Sequence, residues 1–275
     1  MDNALPEYEL FAVRYAMRDA RRSDHFIGGD PHDAPMAMDY FLWAAVGQER
    51  TFIIDAGFTA EVAAKRKRTF LRCPVETLKA IGVDGDAVED VILTHLHYDH
   101  VGNFHRFPNA QFHLQEPEIA YATGRYMRYP RLAHSFEVED VVGIVRLNFA
   151  KRVMFYNGDA ELAPGISVHA VGGHSAGLQF VRVHTRRGWV VVASDTTHFY
   201  ENMLTGRPFT TAFHVGKMLE GFDALRAAAP SLSHIIPGHD PLVMKFYPPA
   251  GSNLEGVVVR LDVAPDDAAL GELLK

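Results

Sequence analysis

Three histidines and an aspartate crowd into the stretch His95-Leu96-His97-Tyr98-Asp99-His100, directly behind the apolar run Val91-Ile92-Leu93 and ahead of Val101-Gly102-Asn103. In a strand, residues two apart share a face, so His95 and His97 can aim both imidazoles at one point. Asp99 and His100 follow where the strand gives way to a loop and a helix start, and they face a second point beside the first. The pattern offers two nitrogens to one metal ion, and a nitrogen plus an oxygen to its neighbour. Such a donor set suits zinc or another borderline first-row ion. The competing reading, a polar loop rich in histidine, does not account for so many donors packed behind a hydrophobic strand.

The stretch resembles the His-x-His-x-Asp-His signature of the metallo-β-lactamase superfamily, in which later strands end in a histidine, an acidic residue and a final histidine. Matching segments stand in that order here: Gly172-Gly173-His174-Ser175-Ala176-Gly177, then Val190-Val191-Val192-Ala193-Ser194-Asp195, then Ile235-Ile236-Pro237-Gly238-His239-Asp240. Asp55-Ala56-Gly57, after Thr51-Phe52-Ile53-Ile54, is similar to an early element of the same family. The resemblance implies an α/β fold, the αββα sandwich of two mixed β-sheets flanked by helices, as a single domain over residues 1–275. It also implies two Zn2+ ions per chain, one on His95, His97 and His174, the other on Asp99, His100 and His239, with Asp195 bridging.

Within the superfamily the chain most resembles the N-acyl homoserine lactonase branch, by its length, its Asp-Ala-Gly element, its Gly-His-Asp at the last ligand and the absence of an added domain. In that branch a tyrosine commonly follows the bridging aspartate by three positions; here the position is His198, in Asp195-Thr196-Thr197-His198-Phe199-Tyr200. The resemblance therefore implies a metal-dependent hydrolase that opens a lactone, with an N-acyl homoserine lactone as the first candidate, by attack of metal-bound hydroxide on the carbonyl. Two cations can lower the pKa of a shared water from 15.7 towards about 7. Asp99 and Asp195 would temper the cluster's positive charge, and His198 would bind or protonate the reacting group. The alternatives are hydrolysis of another cyclic amide or ester, hydrolysis of a thioester, and metal-dependent oxidoreduction. No C-terminal helical region with a basic clamp favours the thioester, and a single-iron oxidoreductase would not need His100 and His239. A binding module without activity would be expected to have lost ligands.

The formal charge of −7 argues against nucleic acid or an anionic membrane as partner and leaves a small molecule. The segment Met1-Asp2-Asn3-Ala4-Leu5-Pro6-Glu7 shows no basic run followed by an apolar one, and no apolar stretch reaches the roughly 18 residues of a membrane span, so a soluble cytoplasmic protein is expected. The lone Cys73 excludes an internal disulfide and reads as structural.

Alternation predicts strands over Tyr8–Tyr15, Asp39–Val46 and Thr51–Asp55, with Ser23–Pro35 a solvated loop folded over something. The basic run Lys65-Arg66-Lys67-Arg68 reads as a solvated helix face or loop, and Pro74–Ile81 as a helix stopped by Gly82. Further strands are expected over Phe112–Leu114, Val153–Tyr156, Ile166–Val171, Gln179–His184, Trp189–Ala193, Ser233–Ile236 and Gly256–Leu261. Helical spacing marks Ala212–Ala229, and Asp266–Lys275 reads as a short helix or frayed end. Residues 116–150 show no clean period and are expected to wall the pocket as an irregular insertion.

Overall fold

Alternation along the strands sorts the chain into layers. A computed structural model describes residues 5–266. The first sheet opens with β1 (Glu9–Arg18), β2 (Met38–Val46) and β3 (Thr51–Ile54), paired antiparallel, with β4 (Thr69–Phe70) against β1. It continues in parallel through β5 (Asp90–Ile92), β6 (Gln111–Gln115) and β7 (Val153–Tyr156). The second sheet holds β8 (Ala160–Ala163), β9 (Ile166–Ala170), β10 (Gln179–Thr185) and β11 (Gly188–Ser194), all antiparallel neighbours, and β12 (Ile235–Pro237), parallel to β11. Finally β13 (Val258–Arg260) returns to the free side of β1. Both sheets are mixed, as the αββα sandwich requires.

On β2, Phe41, Trp43 and Ala45 join a core cluster with Val181, Val183, Val190 and Val192 of the second sheet. The alternate residues Leu42 and Ala44 join another cluster with Val141, Ile144 and Leu254. On the second sheet Val191 and Ala193 face away from the first and meet Phe222 and Leu225 of the helix Val215–Ala228. Each sheet is therefore covered on both faces, which is what its unbroken apolar strands demand.

Several expectations need correction. Residues 116–150 are largely helical, with Glu116–Ala122 and Val138–Phe149 as helices. The longer helix buries Val141, Gly143 and Ile144, but Val138 and Phe149 are 73% and 85% exposed, and these outward apolar residues blur its period. The basic run is only half solvated. Arg66 lies with its guanidinium 3.9 Å above the Tyr98 ring and is paired with Glu137, and Arg68 donates to Tyr98 Oη. β8 was not expected because Ala-Glu-Leu-Ala is short and lacks β-branched residues. The Ser23–Pro35 loop is tied down by Arg22, which pairs with Asp30 and Glu201, while Arg207 also reaches Asp30. His25, His32 and Asp33 gather into no metal cluster there among the described residues. Beyond Asp266 the expected C-terminal helix lies outside the described residues. No helix among them is long and apolar enough to cross a membrane.

Asp140, in the first turn of Val138–Phe149, is buried with Oδ2 lacking a hydrogen-bond partner. Burial first, then the Glu137 charge, pushes its carboxyl up to about 6 against the opposing pull of Arg66. The folded state thus prefers the protonated form, so this group's contribution is full below pH ~4 and is lost as pH rises through about 6. Asp140→Asn is expected to stabilise the protein to urea by about 1–3 kcal/mol at pH 7.5 and by nothing at pH 4. An equal gain at both pH values would contradict this.

Candidate metal centre

The site forms where strands running in one direction end. β9 and β11 are both antiparallel to β10, and β12 is parallel to β11, so the segments carrying His174, Asp195 and His239 leave the second sheet on the same side. From the first sheet, β5 stops at Ile92, earlier than the sequence suggests, and His95 and His97 lie on the segment after it. Buried carboxylates replace the ladder there. Asp55 Oδ1 accepts from Thr94 N at 2.8 Å, and Glu118 Oε1 accepts from Leu96 N at 3.0 Å. The two imidazoles still meet, with ring centroids 4.5 Å apart, and His97 precedes the short helix Tyr98–Val101 that carries Asp99 and His100.

Glu118 also accepts from Gly177 N at 2.8 Å, so one buried carboxylate joins the His95–His97 segment to the loop of His174. A Cβ on Gly177 would lie 2.3 Å from Glu118 N, which is why that loop can come so close only with glycine. Gly238 plays the same part before His239, since its Cβ would sit 2.6 Å from Ser194 O. Asp55 and Ser194 adopt left-handed backbone, with φ of 63° and 45°, a costly conformation for residues other than glycine and one that clusters at functional sites.

The chain gathers every ligand position inferred from the sequence. His95, His97 and His174 form one group of donor atoms within 4.8 Å of one another, and Asp99, His100 and His239 form another. Between them lies Asp195. Its Oδ1 is 3.0 Å from His239 Nε2 and 3.3 Å from His100 Nε2, and its Oδ2 is 3.1 Å from His174 Nε2 and 3.8 Å from His95 Nε2. The outer nitrogens are spoken for. His174 Nδ1 donates to Thr211 O at 2.7 Å, His239 Nδ1 to Asp39 O at 2.8 Å, and His100 Nδ1 to Asp55 Oδ2 at 2.7 Å. Each ring is thereby held in the tautomer that turns an Nε2 lone pair inward.

Electrostatics divides the imidazoles. Burial, reinforced by neighbouring histidines, holds His95 and His97 well below the usual range and therefore neutral. Burial also opposes charge on His100 and His239, but Asp195 with Asp55 and Asp99 raises the first, and Asp195 with Asp99 raises the second. Burial would raise Asp195, yet His239, His100, His198 and His174 carry it well below the ordinary carboxylate value. His100 Nε2, His239 Nε2 and Asp195 Oδ1 are buried without a hydrogen-bond partner of good geometry. Buried polar atoms of this kind, converging on one place, are what metal ligands look like when read without their ion. The donor set fits divalent metal.

His198 sits against this cluster, its Nε2 2.8 Å from Asp195 Oδ2 and its ring stacked on Phe209 at 3.4 Å between centroids and 10° between planes. Burial lowers its pKa well below the usual value. It lines, with Asp99, Asp195 and His239, an inner cavity of about 90 Å³. An outer cleft of about 450 Å³ shares His97, His174 and Thr210 with it and is bounded by Tyr121 and by residues 130–132 and 134–135. Sequence reasoning did not assign Glu118, Thr94 or Phe209 to the site. The Asp55 motif was visible, but not its bond to His100.

Comparison with known proteins agrees with this architecture. The family described as the metallo-beta-lactamase superfamily matches residues 38–239. An N-acyl homoserine lactonase of Bacillus thuringiensis is 30% identical over 138 residues, 49% of each chain, and one of Agrobacterium fabrum is 46% identical over 48 residues, 18% of each. The chain thus matches about half the length, or less, of these curated relatives. A solved quorum-quenching N-acyl homoserine lactone lactonase superimposes with a TM-score of 0.72 at 21% identity, covering 88% of this chain and 95% of its own. A probable metal-dependent hydrolase from Staphylococcus aureus gives 0.71 at 12% identity, covering 96% of both.

Because Asp55 orients His100, Asp55→Ala is expected to weaken divalent-metal binding by about 10–100-fold in competition with a chromogenic chelator, while the fold persists by circular dichroism. Unchanged affinity would remove Asp55 from the site.

Proposed function

The chain belongs to the metallo-β-lactamase superfamily, and within it we propose that it is a dinuclear-zinc hydrolase that opens a cyclic ester, with an N-acyl homoserine lactone as the first candidate. The observation that carries this reading is the Asp195 carboxylate, one oxygen turned to His100 and His239 and the other to His174 and His95. In this assignment His95, His97 and His174 would hold one ion and Asp99, His100 and His239 the other, with Asp195 placed to serve both. When bound, such a pair supplies an activated water at neutral pH and polarises the substrate carbonyl.

The side chains have distinct tasks. Asp99 and Asp195 offset the positive charge of the centre, which keeps a nucleophile from being held too tightly. Ring opening leaves an alkoxide that must gain a proton. The attacking water gives up a proton in the same turnover, and the Asp99 carboxylate on the wall of the inner cavity is placed to pass it to that oxygen, while His198, whose pKa burial lowers, stands beside the reacting group as a neutral imidazole. His198 also steadies Asp195 through its Nε2, and Phe209 fixes the plane of its ring. Where the lactonase branch commonly has a tyrosine, a shorter imidazole leaves the carbonyl oxygen a different partner, so the preferred ring can differ from homoserine lactone. The inner cavity is small and the outer cleft larger, a division that suits a compact ring bearing a substituent.

Metal-loaded protein is expected to release acid from at least one lactone in a pH-indicator screen of lactones, esters, thioesters and cyclic amides, with activity abolished by chelator and by Asp195→Ala. His198→Ala is expected to lower kcat/KM by about 10–100-fold through loss of its hydrogen bond to the charged Asp195 carboxylate and of its contact with the reacting group, and unchanged turnover and affinity would remove it from the mechanism. Splitting of a thioester or cyclic amide without any lactone opening would keep the hydrolase and discard the lactonase. One iron per chain with oxygen uptake would discard both.

A further inference from the structure

The outer cleft has a charge that the chain as a whole does not. Acidic residues outnumber basic ones by 34 to 27, yet among the described residues the formally charged side chains lining this cleft are Arg18 and Arg131, and no carboxylate among them lines it. Arg18 stands where the cleft meets the inner cavity and lines both. Its acidic neighbour Asp24 is 3.5 Å away with a side chain 45% exposed, a pairing that neutralises little in water. Arg131 commits one nitrogen to Thr210 O at 2.6 Å and keeps its remaining donors, of the five a guanidinium carries. His134 lies on the same wall, where burial and then the charges of Arg66, Arg68, Arg131 and Arg18 all disfavour its protonation. Four cations acting in one sense on one imidazole mark a region of positive potential. The adjoining groove extends it: Glu137 is taken up by Lys65 and Arg66, leaving Lys67 and Arg68 without that counter-charge.

We propose that this cleft selects substrates whose group remote from the scissile ester is a small anion, a carboxylate or a phosphate, held by Arg18 and Arg131 while an apolar stem lies against Tyr121 and Leu132. The proposal rests on the hydrolase reading of the inner cavity and adds the substrate class. Guanidinium groups suit planar or tetrahedral oxyanions because they donate in parallel pairs, and positive charge in a concave wall concentrates anions at its mouth. A plain acyl chain would leave both arginines facing hydrocarbon.

The test is equilibrium binding by calorimetry to metal-loaded full-length protein, using ring-amide analogues so that turnover does not intrude. N-succinyl- and N-(3-phosphonopropanoyl)-homoserine lactam are compared with N-butanoyl-homoserine lactam. At least one anionic lactam is expected to bind about tenfold or more tightly than the butanoyl compound, and the better of the two identifies the anion. The margin is expected to shrink as salt rises from about 20 to about 300 mM. In R18Q/R131Q the affinities are expected to converge. Equal wild-type affinities, or tighter binding of the butanoyl compound, overturn the proposal whatever the folding of the variant. A wild type that prefers the anionic lactams yet opens none of the corresponding lactones upholds the anion site and discards the lactonase reading alone.

Discussion

A carboxylate surrounded by imidazoles in a protein interior must have its charge answered, and the rest of this structure is arranged around how Asp195 has it answered. Desolvating a carboxylate is expensive unless cations or donors replace the lost water. Here four histidine side chains do so, His239, His100, His198 and His174. A set of ring nitrogens and carboxylate oxygens facing inward, with their outer atoms already bonded, is poised to exchange protons for divalent ions.

That arrangement depends on strand direction and on a few buried links between distant segments. Alternation sends Val190 and Val192 to the layer between the sheets and Val191 and Ala193 to the helical layer, so β11 is fixed on both faces before Asp195 emerges from it. Glu118 then joins residues 96 and 177, and Asp55 joins Thr94, His100 and Ser194. The strained backbone at Asp55 and Ser194 is sustained by those same bonds. Shape follows from the apolar strands; ligand geometry follows from the buried carboxylates.

The parts of this legible in the sequence are those encoded locally. The crowded donors of 95–100, the apolar strands with their turns, and the glycines before His174 and His239 each announce themselves over a few residues. The remainder depends on contacts between segments far apart. Glu118 in a Glu-Pro-Glu sequence carries no sign that its carboxylate will bond Leu96 and Gly177. The inward turn of Arg66 and Arg68 requires Tyr98 to be there, and the helix Val138–Phe149 hides behind its own exposed Val138 and Phe149. His198 was visible as a departure from the lactonase pattern, but its bond to Asp195 and its stacking on Phe209 are properties of the folded chain.

The central claim is that Asp195 bridges two ions, and anomalous diffraction from zinc-loaded crystals tests it most directly. The account predicts two peaks on either side of the Asp195 carboxylate, about 3.5–4 Å apart, one within bonding reach of His95, His97 and His174 and the other of Asp99, His100 and His239. A single peak at full zinc loading, with His239 turned away and Asp195 bound from one side only, would contradict it.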